Sequence, residues 1–128
     1  MNQRAIKTEY ARNHSQQMPD SIRLNHRLLS TYNRICHKLL GYSLTGKNLD
    51  LGCGDRGFSA ACESLGIQST GIDYPETDLE SVELRADDKS VDFITLNAVI
   101  EHIANPDRVL SESWRVLKRD GLIFIRTP

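Results

Sequence analysis

Three glycines stand at positions 52, 54 and 57, in the run Gly52-Cys53-Gly54-Asp55-Arg56-Gly57 that directly follows the short segment Asn48-Leu49-Asp50-Leu51. Residues without a Cβ leave main-chain N–H groups bare where a chain turns from strand to helix, so a ligand can approach the backbone closely. The spacing matches G-x-G-x-x-G, and Asp73 follows Gly52 by 21 residues at the end of the next predicted strand. A carboxylate there can accept hydrogen bonds from both hydroxyls of a ribose. The combination suits a nucleoside-containing cofactor, and by itself suits a dinucleotide equally well. A tight structural turn beside a solvated Asp73 is the plain alternative.

Asp50 separates the two kinds of ligand. Dinucleotide folds usually carry an apolar residue at that position and have no cation to hold in the loop. S-Adenosylmethionine carries ammonium and sulfonium charges, which a carboxylate beside the loop can meet directly or through water and backbone. The competing role for Asp50 is to cap loop N–H groups.

These residues need a scaffold, and the pattern along the chain describes one. Met1 to Pro19 is polar and aperiodic, which fits an arm or a lid. From Ser21 onward Ile22, Leu28, Tyr32, Ile35 and Leu39 recur at helical spacing, with Asp20 or Ser21 as N-cap and Gly41 as stop. Asn48–Leu51 is a strand, and Phe58 to Leu65 is a helix closed by Gly66. Ser69–Asp73, Val91–Leu96 and Leu122–Thr127 are further short apolar strands. Before the last strand, Asn105 caps a helix with Pro106 at its first position. Val109, Leu110, Trp114 and Leu117 give that helix an apolar face, and Asp120-Gly121 ends it. Strands alternating with helices predict a doubly wound, mostly parallel α/β sheet. Residues 1–46 then form an N-terminal arm and helix, and residues 47–128 the cofactor-binding α/β core.

From Asn48 to Pro128 the sequence resembles the class I S-adenosylmethionine-dependent methyltransferases, particularly their small-molecule branch. Asn48-Leu49-Asp50-Leu51-Gly52-Cys53-Gly54 resembles the first motif of that family, and Gly71-Ile72-Asp73 its ribose-binding strand end. Ser90-Val91-Asp92-Phe93-Ile94, Val99-Ile100-Glu101-His102-Ile103, Asn105-Pro106 and Arg115-Val116-Leu117-Lys118-Arg119-Asp120-Gly121 follow the rest of its order. The resemblance implies a Rossmann-like sheet in the order 3-2-1-4-5, with the cofactor across the C-terminal strand ends at the switch between strands 1 and 4. It implies cofactor contacts from Asp50, Gly52, Cys53, Gly54, Gly57 and Asp73. Asn97, after the fourth strand, would face the methionine part or the adenine edge of the cofactor, or else act as a helix cap. His102 becomes the candidate base, imidazole being suited to proton removal near neutral pH, with support of the pocket as its other role. Glu101 would hold a loop.

The chain departs from that family twice. Only 18 residues separate Asp73 from Asp92, where a helix and a third strand are usual, so this part should be a loop or a short edge strand. Asp78, or Asp87, is then the acceptor for the adenine amino group, against a solvated acidic loop as the alternative. The sequence also ends at Pro128, after the fifth strand, without the usual final helix and reversed hairpin. Leu122-Ile123-Phe124-Ile125 should therefore be an apolar edge that pairs with a second copy as a homodimer or is covered by further C-terminal sequence.

The expected reaction is methyl transfer to an oxygen, nitrogen or carbon nucleophile of a small-molecule acceptor. A catalytically silent cofactor-binding or partner-binding domain is the alternative, and a nicotinamide-dependent enzyme a more distant one. A formal charge of −1 from 16 basic and 17 acidic residues leaves no basic stripe for nucleic acid. Cys36, Cys53 and Cys62 form no C-x-x-C pair, and His14, His26, His37 and His102 have no ligand spacing, so neither a disulfide framework nor a metal site is expected. With no apolar run of membrane-spanning length and no signal-peptide pattern, a cytoplasmic protein is expected.

Overall fold

The computed structural model describes residues 18–73 and 78–128. Helix α1 (Met18–Leu40) leads into β1 (Lys47–Leu51), α2 (Gly57–Ser64) and β2 (Gln68–Ile72); β3 (Val91–Asn97), α3 (Asp107–Val116) and β4 (Leu117–Arg126) follow. The sheet order is β2-β1-β3-β4, and all three pairings are parallel. Among the described residues this is the expected order without its third strand. Among the described residues between β2 and β3 there is a loop, the first of the two outcomes expected there.

Because β1 is central, its residues from Asn48 to Leu51 are all buried, as in a sheet covered on both faces. One face packs Phe93, Leu122 and Phe124 against α1 and α2 through Leu29, Tyr32, Cys36, Phe58 and Cys62. The other packs Leu49, Leu51, Ile94 and Leu96 against Val109 and Val116 of α3. All three cysteines are free and buried. No described helix is long and apolar enough to cross a membrane.

Four local expectations are corrected. The inner stripe of α1 is Leu29, Tyr32 and Cys36, while Ile22, Ile35 and Leu39 are exposed. Cys36 supplies an apolar surface that a search for large aliphatic residues overlooks. Helix α1 also begins at Met18, so the expected N-terminal arm otherwise lies outside the described residues, whereas Gly41 stops the helix at φ +79° as expected. In α3 Trp114 is 85% exposed, because the buried face runs through Val109, Glu112, Ser113 and Val116. That helix ends at Val116, and Lys118 to Gly121 form an irregularity inside β4, since Val91 pairs with Leu117 but Phe93 with Leu122. The helix begins at Asp107 with Pro106, not Asn105, at the cap position, while Asn105 one residue earlier accepts the Asp107 N–H on Oδ1 at 3.1 Å.

The loop that precedes β3 is held to α3 by an ionic latch. Val82 and Leu84 plug the face beside β1, and Arg108 Nε donates to the Val82 carbonyl at 2.9 Å. Glu112 accepts the Leu84 N–H at 2.8 Å and the Arg115 Nε–H at 2.8 Å, and Arg115 Nη1 reaches Asp88 at 2.8 Å. The Arg115 guanidinium holds the Glu112 carboxyl below the usual carboxylate range, against the opposing effect of burial. A depressed carboxyl stabilises the fold above its unfolded pKa, and that contribution fades as pH falls through the folded value. Glu112→Ala also strands the buried Leu84 N–H, a loss of about 1–3 kcal/mol. The variant should melt several degrees lower at neutral pH, with the gap to wild type narrowing in acid; equal melting temperatures at pH 7 would show that the latch does not hold the loop.

The outer edge of β4 meets no further strand among the described residues, and Ile123 and Ile125 on it stay 38% and 43% exposed.

Candidate functional site

The glycine loop hangs from the end of β2. Gly52 N–H and Cys53 N–H both donate to the Ile72 carbonyl, at 2.6 and 3.2 Å, and Arg56 N–H closes the turn onto the Cys53 carbonyl at 2.9 Å. Gly52 sits at φ +75° with the Val99 methyls 2.5 Å from where a Cβ would lie, so it is required both by backbone conformation and by packing. Gly54 has φ +54° and open space where its side chain would be. At Gly57 the loop becomes helix, its N–H donating to Asp55 Oδ1 at 2.9 Å.

Asp73 lies where β2 ends and accepts the Gly54 N–H on Oδ2 at 3.0 Å, so the carboxylate stands directly at the bare glycine. Cys53 packs against Gly71, where a Cβ would come within 2.8 Å of its sulfur. Burial pushes the Cys53 thiol up to about 12, and the negative charges of Asp50 and Asp73 add to the shift. It is a neutral packing group.

Asp50 is 3% exposed and pairs in the sheet with Gly71 on one side and Thr95 on the other. Its Oδ1 accepts from Thr95 Oγ1 at 2.7 Å and from Asn97 Nδ2 at 3.4 Å. Asn97 Oδ1 in turn accepts from the Tyr32 hydroxyl of α1. Further along, Asn48 Nδ2 donates to Thr95 Oγ1 at 3.3 Å, and Ser69 Oγ donates to Asn48 Oδ1 at 2.7 Å. Burial pushes the Asp50 carboxyl up to about 7; the Thr95 hydrogen bond opposes this and the charges of Asp73 and Asp55 reinforce it. Burial thus disfavours the charged carboxylate, and a cation brought beside it favours the ionised form.

The fold thus gathers Asp50, Gly52, Cys53, Gly54, Asp73 and Asn97 at the C-terminal ends of β1, β2 and β3, with Gly57 opening α2. Two other candidates stand differently. Asp78 uses its carboxylate on its own turn, accepting from Glu80 N–H at 3.0 Å and Ser81 Oγ at 3.2 Å. His102 ends the 3₁₀ turn Ile100–His102 with its side chain 78% exposed and Nε2 3.8 Å from Glu101 Oε1. Thr95, Asn48 and Tyr32 were not among the expected residues. Thr95 had a signal, being a lone hydroxyl inside the apolar run Phe93-Ile94-Thr95-Leu96; Tyr32 had none, since an aromatic at helical spacing reads as core.

A family model described as a methyltransferase domain matches residues 23–128. The chain belongs to that family. In this methyltransferase domain the matched region takes in most of α1 as well as the sheet. A ubiquinone biosynthesis O-methyltransferase of Glaesserella parasuis is 32% identical over 105 aligned positions, covering 63% of this chain and 44% of the relative. A probable S-adenosylmethionine-dependent methyltransferase of Mycolicibacterium smegmatis is 28% identical over 112 positions, covering 76% and 42%. The chain therefore spans less than half the length of these relatives. The crystal structure of a SAM-dependent methyltransferase from Archaeoglobus fulgidus shares the fold, with a TM-score of 0.59 at 24% identity over 77% of this chain and 52% of that one.

Proposed function

We propose that this methyltransferase domain binds S-adenosylmethionine across the glycine loop and transfers its methyl group to a nucleophile of a small organic acceptor, a hydroxyl oxygen before nitrogen or carbon. The carrying observation is that Asp50 and Asp73 flank a turn whose Gly54 leaves open space beside its own N–H. Two acids so placed suit a ligand that is a ribose at one end and a cation at the other. The preference for oxygen follows the O-methyltransferase names among the relatives.

In this proposal Asp73 accepts the ribose hydroxyls and Asp50 faces the positive charge of the methionine part. Gly52, Cys53 and Gly54 let the backbone come close, Gly57 sets the turn into α2, and Asn97 orients Asp50. Asp78 is proposed at the adenine edge, where binding would have to draw its carboxylate from the turn it now caps. The cofactor supplies an electrophilic methyl on a sulfonium: the nucleophile bonds to that carbon as the carbon–sulfur bond breaks, and the electron pair stays on sulfur. Little covalent help is needed from the protein, whose contribution is alignment and exclusion of water. His102 is the proposed base for a hydroxyl acceptor, reached from the solvent side.

Calorimetric titration tests the proposal. S-Adenosylmethionine and S-adenosylhomocysteine should both bind with 1:1 stoichiometry and a nicotinamide dinucleotide should give no heat; the opposite pattern would make the loop a dinucleotide site. Binding without methyl transfer to any of a panel of hydroxylated acceptors would instead favour the catalytically silent domain.

A further inference from the structure

We propose that Tyr32 is a positioning residue for the cofactor site, its hydroxyl fixing the Asn97 amide so that Asp50 is held ready to receive the ligand's ammonium group. The inference rests on the cofactor assignment above and concerns a residue of α1, 65 positions away from Asn97 in sequence.

The Tyr32 ring has little freedom. It stacks on Phe124 of β4 at 4.4 Å and 23°, and meets Phe58 of α2 edge-on at 5.9 Å and 63°. With the ring locked between α2 and β4, the hydroxyl donates to Asn97 Oδ1 while the Arg126 side chain meets the same hydroxyl from β4. An amide has one accepting and one donating end, so anchoring the oxygen directs the nitrogen. Here that nitrogen faces Asp50 Oδ1 at 3.4 Å, beside the Thr95 hydroxyl at 2.7 Å. Without the tyrosine hydroxyl the amide is free to turn its oxygen toward the carboxylate, which removes a donor and sets two acceptors against each other.

The charged surroundings make that donor matter. Asp55 in the glycine loop and Asp73 at the end of β2 both disfavour a second negative charge on Asp50. The Cys53 thiol of the loop and the Cys62 thiol of α2 are neutral neighbours. From β4, Arg126 acts on the Tyr32 hydroxyl, which burial keeps protonated and able to donate. Hydrogen bonds from neutral side chains are therefore the visible support for an ionised Asp50. An ammonium group binds the ionised form, so affinity should rise with pH through the neutral region, where burial has placed the carboxyl, and level off above it.

The experiment compares two probes across pH 5.5–9 by calorimetry: S-adenosylhomocysteine, which has the ammonium group, and 5′-methylthioadenosine, which keeps the adenosine and thioether but lacks it. For the wild type, only the first should show affinity rising with pH. Tyr32→Phe keeps the ring, and should lower homocysteine-ligand affinity about two- to fivefold at pH 7, with recovery toward wild type at pH 9. Its profile should move upward by about half a unit to one unit, and methylthioadenosine binding should be unchanged. Asn97→Ala should produce the same shift and carries the test if the Tyr32 variant does not fold. A profile that stays in place in the folded variant, or an equal loss for both probes at every pH, overturns the role of Tyr32. Failure of the wild type to bind either probe would instead overturn the cofactor assignment itself.

Discussion

S-Adenosylhomocysteine binding is expected to fall about ten- to 150-fold when Asp73 is replaced by alanine. A hydrogen bond to a charged acceptor contributes about 1.5–3 kcal/mol, and each 1.4 kcal/mol is about tenfold in affinity. The range thus corresponds to the net loss of one good ribose contact, with solvent compensating part of the second. Asp73 also receives the Gly54 N–H, so the alanine variant loosens the loop as well as removing the acceptor. Asp73→Asn retains a side-chain oxygen for that N–H and should lie between the two. Calorimetry at constant pH measures the change, and thermal unfolding without ligand separates it from a loss of fold. Unchanged affinity in a folded Asp73→Ala protein would take the residue out of the site.

A pair of glycine substitutions should divide cleanly between binding and stability. At Gly54 a Cβ meets no atom within 4 Å, so Gly54→Val costs the fold only the strain of a branched residue at φ +54°, about 1–2 kcal/mol. Its side chain would stand in the open space beside Asp73, and binding should fall more than 100-fold by exclusion, judged on the scale of about 1.4 kcal/mol per tenfold. At Gly52 the same residue strikes Val99 at 2.5 Å and adds strain at φ +75°. Overpacking costs about 1–3 kcal/mol on top of the conformational penalty, so Gly52→Val should unfold at markedly lower urea concentration. Normal binding by a folded Gly54→Val protein would mean that the loop is a structural turn and not the cofactor cradle. Equal stability of the two variants would show that Val99 yields at no cost.

Much of the frame was legible because its determinants are local. Each of the four observed strands lies within one residue of its expected start, apart from β4, where the extra residues before Leu122 join the strand as an irregularity. The glycine loop and the stops at Gly41 and Gly66 were readable in the same way, and the cap of α3 fell on Pro106, one residue after the expected Asn105. Trp114 and the outer stripe of α1 were misplaced because periodicity locates an apolar face only to within about one residue's rotation. A buried Cys36 or Ser113 carries little hydrophobic signal of its own.

By itself, then, the order of residues determined the turn chemistry, the parallel α/β class and the two acids beside the loop. Positive φ, the strand-to-helix switch and a carboxylate at a strand end are each set by a few consecutive residues. The state of the site was decided only in three dimensions. Asp50 meets Thr95 because parallel register brings together residues 45 apart, and Tyr32 reaches Asn97 because α1 packs across β4. The latch from Arg115 and Glu112 binds the Leu84 segment to α3 across 28 to 31 residues of sequence. Burial, which raises the Asp50 carboxyl, is a property of everything packed around it, and no short stretch of sequence contains that sum.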